Sequence, residues 1–330
     1  MKRAKITGIG HYVPEHVVTN ADLEKLMDTT DEWIINRTGI KERRHADSKT
    51  GASDLGVIAS ENAMKMAGVK PEDIDLIIFA TVSSDYYFPG AAVLIQKKMS
   101  MKNIGAFDVR AACSGFVYGL SIADQFIRAG MNENILLIGA EVQTVALKFD
   151  TKHRDLSILF GDGAGAVIVQ PSNNSSGILS THLHSQGEHA ESLWMPAPGS
   201  HFHPWISHEI IDNELHIPVM NGKEVFKHAI VRFPEVIQEA LDTNNLSLED
   251  VALIIPHQAN YRISQAVARR MGIGMDKIYS NIHKYGNTTA ASIPIAMSEA
   301  YAEGRFSEGD YVILAAFGSG FTWASAAIRW

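Results

Sequence analysis

Apolar residues in this chain fall into short unbroken runs separated by longer stretches of helical spacing. DLIIFA at 75–80 and ALIIP at 252–256 lack the polar alternate positions of a half-exposed strand, so they read as strands buried on both faces. The pattern predicts strands at 3–9, 75–82, 104–109, 134–140 and 163–170, then at 177–184, 251–256, 277–281, 310–316 and 323–329. Helical spacing covers 53–67, 90–99, 113–129, 223–244, 259–271 and 289–303. This alternation predicts the α/β class, with layered sheets and helices packed between and outside them.

The chain also reads as one fold written twice. EDIDLII at 72–78 returns as EDVALII at 249–255, and ILLIGA at 135–140 returns as VILAAF at 312–317. Both pairs share one offset of 177 residues (249 − 72 and 312 − 135). A common offset for two strands argues for duplication. The turn-rich SNNSSG at 172–177 is the expected junction, dividing the chain into halves 1–171 and 172–330.

Composition narrows the class without naming a chemistry. A chain of 330 residues, 46% hydrophobic and 20% charged, has the profile of a soluble globular enzyme. No apolar run is long enough to span a bilayer, and MKRAKITGIGHYVP lacks the apolar core of a signal peptide. One cysteine excludes an internal disulfide and suits a reducing cytoplasm. The net charge of −8 argues against general nucleic-acid binding but leaves room for a local basic patch.

That single cysteine, Cys113, lies in FDVRAACSGFVYGL, where a strand pattern gives way to a helix pattern. A thiol at a helix start is either a small buried apolar residue or a nucleophile whose thiolate the helix favours. Two other segments tip the balance: PHQAN, with His257, and HKYGNTTAAS, with Asn287. All three residues follow predicted strands, where catalytic loops of α/β sheets gather. A thiolate can accept an acyl group from a thioester. An imidazole N–H and an amide N–H can together hold an oxyanion. Asparagine cannot act as a general base, so its pairing with histidine suggests donation and suits an enolate formed by decarboxylation. GDGAG at 161–165 lacks phosphate-loop spacing and reads as a tight turn into a strand. The histidines at 182, 184, 189, 201, 203 and 208 have no regular ligand spacing, so no metal is expected.

Taken together, TNADLEKLMDTTDEWIINRTGIKER, FDVRAACSGFVYGLSIADQ, SILFGDGAGAVIV, PHQANYRI, HKYGNTTAASIP and AAFGSGFTWASA resemble the β-ketoacyl-[acyl carrier protein] synthase III family of the thiolase superfamily. The resemblance runs from residue 19 to 326. It implies a duplicated thiolase-like fold, layered αβαβα with two mixed sheets. It implies that Cys113 takes a short acyl group from acyl-CoA. His257 and Asn287 would then hold the malonyl-[acyl carrier protein] thioester oxygen as carbon dioxide leaves, with no metal or organic cofactor. A related ketosynthase of secondary metabolism, with a different primer, is the alternative.

The resemblance carries further residues. Trp33 and Arg154 would sandwich the CoA adenine, and Arg37 would meet a CoA phosphate. Phe317 would line the acyl pocket, and Phe88 would be lent to a partner's acyl pocket, which implies a homodimer. Lys227, Arg262, Arg269 and Arg270 would form a basic collar for the acidic carrier protein, with Lys223 nearby. One departure stands out: the family's three successive glycines are here Gly318-Ser319-Gly320. The N–H of Ser319, with that of Cys113, would form the acyl oxyanion hole, but serine lacks glycine's freedom at positive φ. The stretches EVQTVALKFDTKHRD and 196–213 are also unusual, which leaves the primer open.

Overall fold

The computed structural model describes residues 3–330. Two mixed sheets form the frame. The first has the order Arg3–Tyr12, Gly163–Ser172, Ile135–Glu141, Leu76–Ala80, Gly105–Val109. The second has the order Gly177–Ser185, Thr322–Arg329, Tyr311–Gly318, Val251–Pro256. In the first sheet Leu76–Ala80 pairs in parallel with both Ile135–Glu141, Ile77 opposite Leu136, and Gly105–Val109. In the second the edge strand Val251–Pro256 pairs in parallel with Tyr311–Gly318, Ile254 opposite Ile313; the other pairings are antiparallel.

Between the sheets lie the helices Gly115–Arg128 and Ser292–Ala302. Their residues Phe116, Leu120, Ile293 and Met297 share one buried cluster with Ile78, Leu137, Leu253 and Leu314 from both sheets. Helices Ala52–Ala67 and Ala91–Lys98 cover the outer face of the first sheet. Helices Gly222–Asn244 and Tyr261–Met271 cover the outer face of the second. Five layers result because parallel strands must be buried on both sides. Each fully buried Leu, Ile or Phe here contributes about 1.5–3 kcal/mol, so the central layer is a rigid seat for the segments at its ends.

One expected strand is absent. Residues 277–281 make only a single bridge, Ile278 to Ile254, with the Tyr279 N–H donating to the Ile254 carbonyl. The next pairing is intercepted by a side chain: Gln258 Oε1 accepts the Asn281 N–H, 3.2 Å, and Gln258 Nε2 donates to the Tyr279 carbonyl, 3.2 Å. Two ribbons, Val17–Thr19 with Glu42–Arg44 and Leu193–Trp194 with Val219–Met220, are too short to show any period in the sequence. The helix Asp31–Thr38 was equally unmarked; Thr30 caps it through the Trp33 N–H, and Gly39 closes it at φ 78°.

Candidate active site

Cys113 lies where the central layer meets the ends of both sheets. The chain leaves the strand Gly105–Val109, makes one 3-10 turn at Ala112–Ser114, and enters the helix Gly115–Arg128. Ala112 holds φ 44°, a conformation that costs a non-glycine residue about 1–3 kcal/mol and persists where the surroundings impose it. A Cβ at Gly318 would stand 2.5 Å from Cys113 Cβ and 2.9 Å from its sulfur, so only glycine lets that loop close over the thiol. The N–H groups of Ser319 and of Cys113 itself both reach the sulfur. The positive φ of this loop falls on Gly320, at 134°, so the serine at 319 meets no left-handed constraint.

Burial pushes the Cys113 thiol up to about 12, the charge of Glu141 adds to the rise, and the two N–H groups oppose it. The expectation of a helix-stabilised thiolate is therefore corrected. At rest the residue is a thiol, because burial outweighs the nearby N–H dipoles.

Glu141 ends a strand of seven buried residues, Ile135–Glu141. Its carboxylate accepts from Thr81 Oγ1 at 3.0 Å, from the N–H groups of Val82 and Ser83 at 3.1 Å each, and from the N–H of Ala290. Burial raises it to about 7 against those hydrogen bonds. The group ties the loop after Leu76–Ala80 to the loop that carries Asn287. Gly139, where a Cβ would stand 2.5 Å from the Ala290 carbonyl, permits the close approach.

His257 follows the strand Val251–Pro256, is 3% exposed, and donates its N–H to the Ala315 carbonyl at 2.8 Å. Its Nδ1 stands 2.6 Å from Ser292 Oγ. The Gln258 N–H donates to the same Oγ at 3.4 Å, which directs the serine hydrogen at Nδ1. The remaining imidazole proton then sits on Nε2. Burial drives the pKa of His257 down to about 3, so the ring is a neutral donor.

Asn287 is held from both sides by the SILFGDGAG segment: its N–H donates to Leu159 and its carbonyl accepts from Gly161, 2.8 and 3.1 Å. The turn at GDGAG thus serves to hold Asn287. Oδ1 accepts the Thr289 N–H at 2.9 Å, leaving Nδ2 as the free donor.

Cys113, His257 and Asn287 line one cavity of about 500 Å³, together with Phe317, Leu193 and Trp33. One sulfur and two neutral N–H donors around a shared space can bind an acyl group and hold an enolate oxygen. Sequence reasoning missed Glu141, Ser292 and Leu193. A glutamate closing an apolar strand was the available signal for the first; nothing marked the other two.

The outer residues divide. Trp33 and Arg37 line the cavity. The guanidiniums of Arg37 and Arg154 lie 4.4 and 4.9 Å from the Trp33 ring centre, on which they stack, so a base reaches the Trp33–Arg154 slot only by displacing Arg154. Arg262 and Lys223 line the mouth. Lys227 is exposed and 3.8 Å from Glu224, and Arg269 and Arg270 stand exposed at the far end of the helix Tyr261–Met271, outside the cavity. Phe88 is 79% exposed beside exposed Tyr86 and Tyr87 and does not line the cavity of its own chain. Among the described residues no cluster of His, Cys, Asp and Glu could hold a metal ion, and no helix is long and apolar enough to cross a membrane.

The depressed His257 pKa has a consequence for stability. Below its ordinary value of 6.5 the unfolded chain takes up a proton that the folded chain refuses until about 3, so stability falls as pH falls through that window. Comparing the protein with His257→Gln cancels the opposite contribution of Glu141. From pH 6.5 to 4.5 the difference in unfolding free energy should move toward the variant by roughly 2–3 kcal/mol, at about 1.4 kcal/mol per pH unit. Urea titrations at the two pH values check this; a constant difference would contradict a buried neutral imidazole.

Two family models match the chain. One is described as 3-oxoacyl-[acyl-carrier-protein (ACP)] synthase III and matches residues 107–187; the other is the C terminal of the same and matches 241–330. A beta-ketoacyl-[acyl-carrier-protein] synthase III of Caldanaerobacter subterraneus subsp. tengcongensis is 47% identical over 327 residues, which are 99% of this chain and 98% of the relative. The crystal structure of 3-oxoacyl-[acyl-carrier-protein] synthase III from Aquifex aeolicus VF5 superposes with a TM-score of 0.91 at 43% identity, covering 99% of this chain and 100% of that one. The priming β-ketosynthase of the R1128 polyketide biosynthetic pathway superposes with a TM-score of 0.90 at 32% identity, covering 98% and 95%.

Proposed function

We propose that this chain, which belongs to the 3-oxoacyl-[acyl-carrier-protein] synthase III family, condenses a short acyl-CoA primer with malonyl-[acyl carrier protein] to start fatty acid synthesis. The observation that carries the reading is the meeting of Cys113, His257 and Asn287 in one buried cavity.

In the first half-reaction the Cys113 sulfur attacks the thioester carbonyl. The oxyanion is held by the N–H groups of Cys113 and Ser319. CoA departs carrying the proton that the thiol gave up. In the second, malonyl-[acyl carrier protein] enters and its thioester oxygen lies against His257 Nε2–H and Asn287 Nδ2–H. Loss of carbon dioxide leaves an enolate on that oxygen. Its carbon attacks the acyl group on Cys113, and the sulfur leaves and regains a proton. The product is a 3-oxoacyl-[acyl carrier protein]. These steps call for no metal or organic cofactor.

Trp33, Arg37 and Arg154 form the CoA subsite, with Arg154 as the movable face. Lys223 and Arg262 meet the carrier protein at the mouth, with Lys227, Arg269 and Arg270 as its outer contacts. The exposed Tyr86-Tyr87-Phe88 segment supports a homodimer in which Phe88 completes the partner's pocket. The matching strand order of the two sheets supports 1–171 and 172–330 as duplicated halves, and a cytoplasmic location fits the single unpaired cysteine.

The test is to mix the protein with acetyl-CoA and longer or branched primers and follow Cys113 by mass spectrometry. An acyl adduct on Cys113, converted to 3-oxoacyl product only when malonyl-[acyl carrier protein] is added, is the expected result. A protein that keeps the fold without the chemistry would show no adduct with any primer. Acylation only by primers other than the short acyl-CoAs would instead favour the secondary-metabolism reading suggested by the likeness to the R1128 enzyme.

A further inference from the structure

Ser319 is held at three points. Its N–H reaches the Cys113 sulfur, its carbonyl accepts from Thr322 Oγ1 at 3.1 Å, and its hydroxyl donates to the Leu193 carbonyl. A glycine or alanine at 319 would keep the first two contacts and lose the third. The third contact crosses from the floor of the site to its wall. Leu193 lines the cavity, and so does Met220, its partner in the two-residue ribbon Leu193–Trp194 with Val219–Met220. That ribbon closes the segment 186–221, whose other ties to the same loop are the paired backbone bonds of Gln186 and Phe321, 2.8 and 3.0 Å. The His189 ring also stacks on Phe321, 5.1 Å between ring centres, so the Ser319 hydroxyl is the one side-chain hydrogen bond among these fastenings of the wall to the thiol's loop.

We propose that the Ser319 hydroxyl is a positioning group that couples the tunnel wall at Leu193 to the oxyanion donor, so that the seating of the primer sets the aim of the Ser319 N–H. It rests on the reading of Cys113 as the acyl acceptor. A primer that fits against Leu193 leaves the tether undisturbed and the N–H directed at the thioester oxygen. A primer that displaces Leu193 pulls Ser319 with it. Small errors of aim matter, since a 1 Å misplacement can cost roughly 100-fold in rate. Specificity then arises from alignment in the transition state as well as from room in the pocket.

The experiment measures single-turnover acylation of Cys113 with acetyl-, butyryl- and octanoyl-CoA for the protein, Ser319→Ala and Ser319→Thr, with melting temperatures alongside. Gln186 and Phe321 still hold the segment in the alanine variant, so its melting temperature should stay close to that of the parent. Its acylation rate with the best primer should fall about tenfold, and the ratio between best and worst primers should shrink at least about threefold. Ser319→Thr, which retains the hydroxyl, should restore that ratio. A uniform loss across all three primers, or no loss, would overturn the coupling while leaving Cys113 as acyl acceptor. A parent protein that no primer acylates would overturn the reading of Cys113 and this proposal with it.

Discussion

Cys113→Ser is expected to remove the acyl adduct and to reduce condensation by at least about 1,000-fold, as loss of a nucleophile does in other acyl-transfer sites. The substitution changes one atom in a position that is 6% exposed and closed over by Gly318, so the backbone around it has no cause to move. What changes is the acidity of the nucleophile. The cavity already holds the thiol at about 12, and a hydroxyl starts far less acidic than a thiol and meets the same burial and the same Glu141 charge. The two N–H groups beside the sulfur cannot offset that difference. Mass spectrometry of the variant after incubation with acetyl-CoA, and product formation with malonyl-[acyl carrier protein], read the outcome. Condensation at the parent rate would remove Cys113 from the reaction.

The same residue shows what the sequence could and could not convey. Its place at the end of a strand and the start of a helix was legible, because the apolar run at 104–109 and the helical spacing after 113 have distinct periods. Its ionisation was not, because burial is a property of all five layers together, and it outweighs the dipoles that the local pattern suggested. His257 and Asn287 were singled out from the residue types that oxyanion chemistry requires, and both line the cavity that holds Cys113. Ser292, which sets the proton on His257, is the last of the small residues of GNTTAAS; only its 2.6 Å approach to Nδ1 distinguishes it. Residues 277–281 have a strand's composition, yet the Gln258 side chain takes their hydrogen bonds, a competition between partners 21 to 23 residues apart that no local period records. The basic residues Arg262, Arg269 and Arg270 share one helix, but helix length separates the first from the others, and only Arg262 reaches the cavity.

His257→Ala should divide the two half-reactions. With its pKa near 3, His257 is neutral throughout the working range, and with Nδ1 engaged by Ser292 it presents only a donor. A donor aimed at the malonyl thioester oxygen stabilises charge that appears only as carbon dioxide departs, and removing one such donor costs roughly 100- to 1,000-fold. In the proposed reaction, acylation of Cys113 develops its charge on a different oxygen, which the N–H groups of Cys113 and Ser319 would hold. Decarboxylation of malonyl-[acyl carrier protein] should therefore fall by that factor, while the single-turnover acylation rate stays within about fivefold of the parent. Asn287→Asp keeps the shape, but its carboxylate offers no N–H, and it should fall in the same half-reaction by the same order. Because the two donors hold one oxygen, the double variant should lose less than the product of the single losses. Rapid-quench acylation with acetyl-CoA, set against carbon dioxide release, separates the outcomes. An equal loss in both half-reactions would mean that His257 also serves the thiol, and the division of the site into two oxyanion holes would not hold.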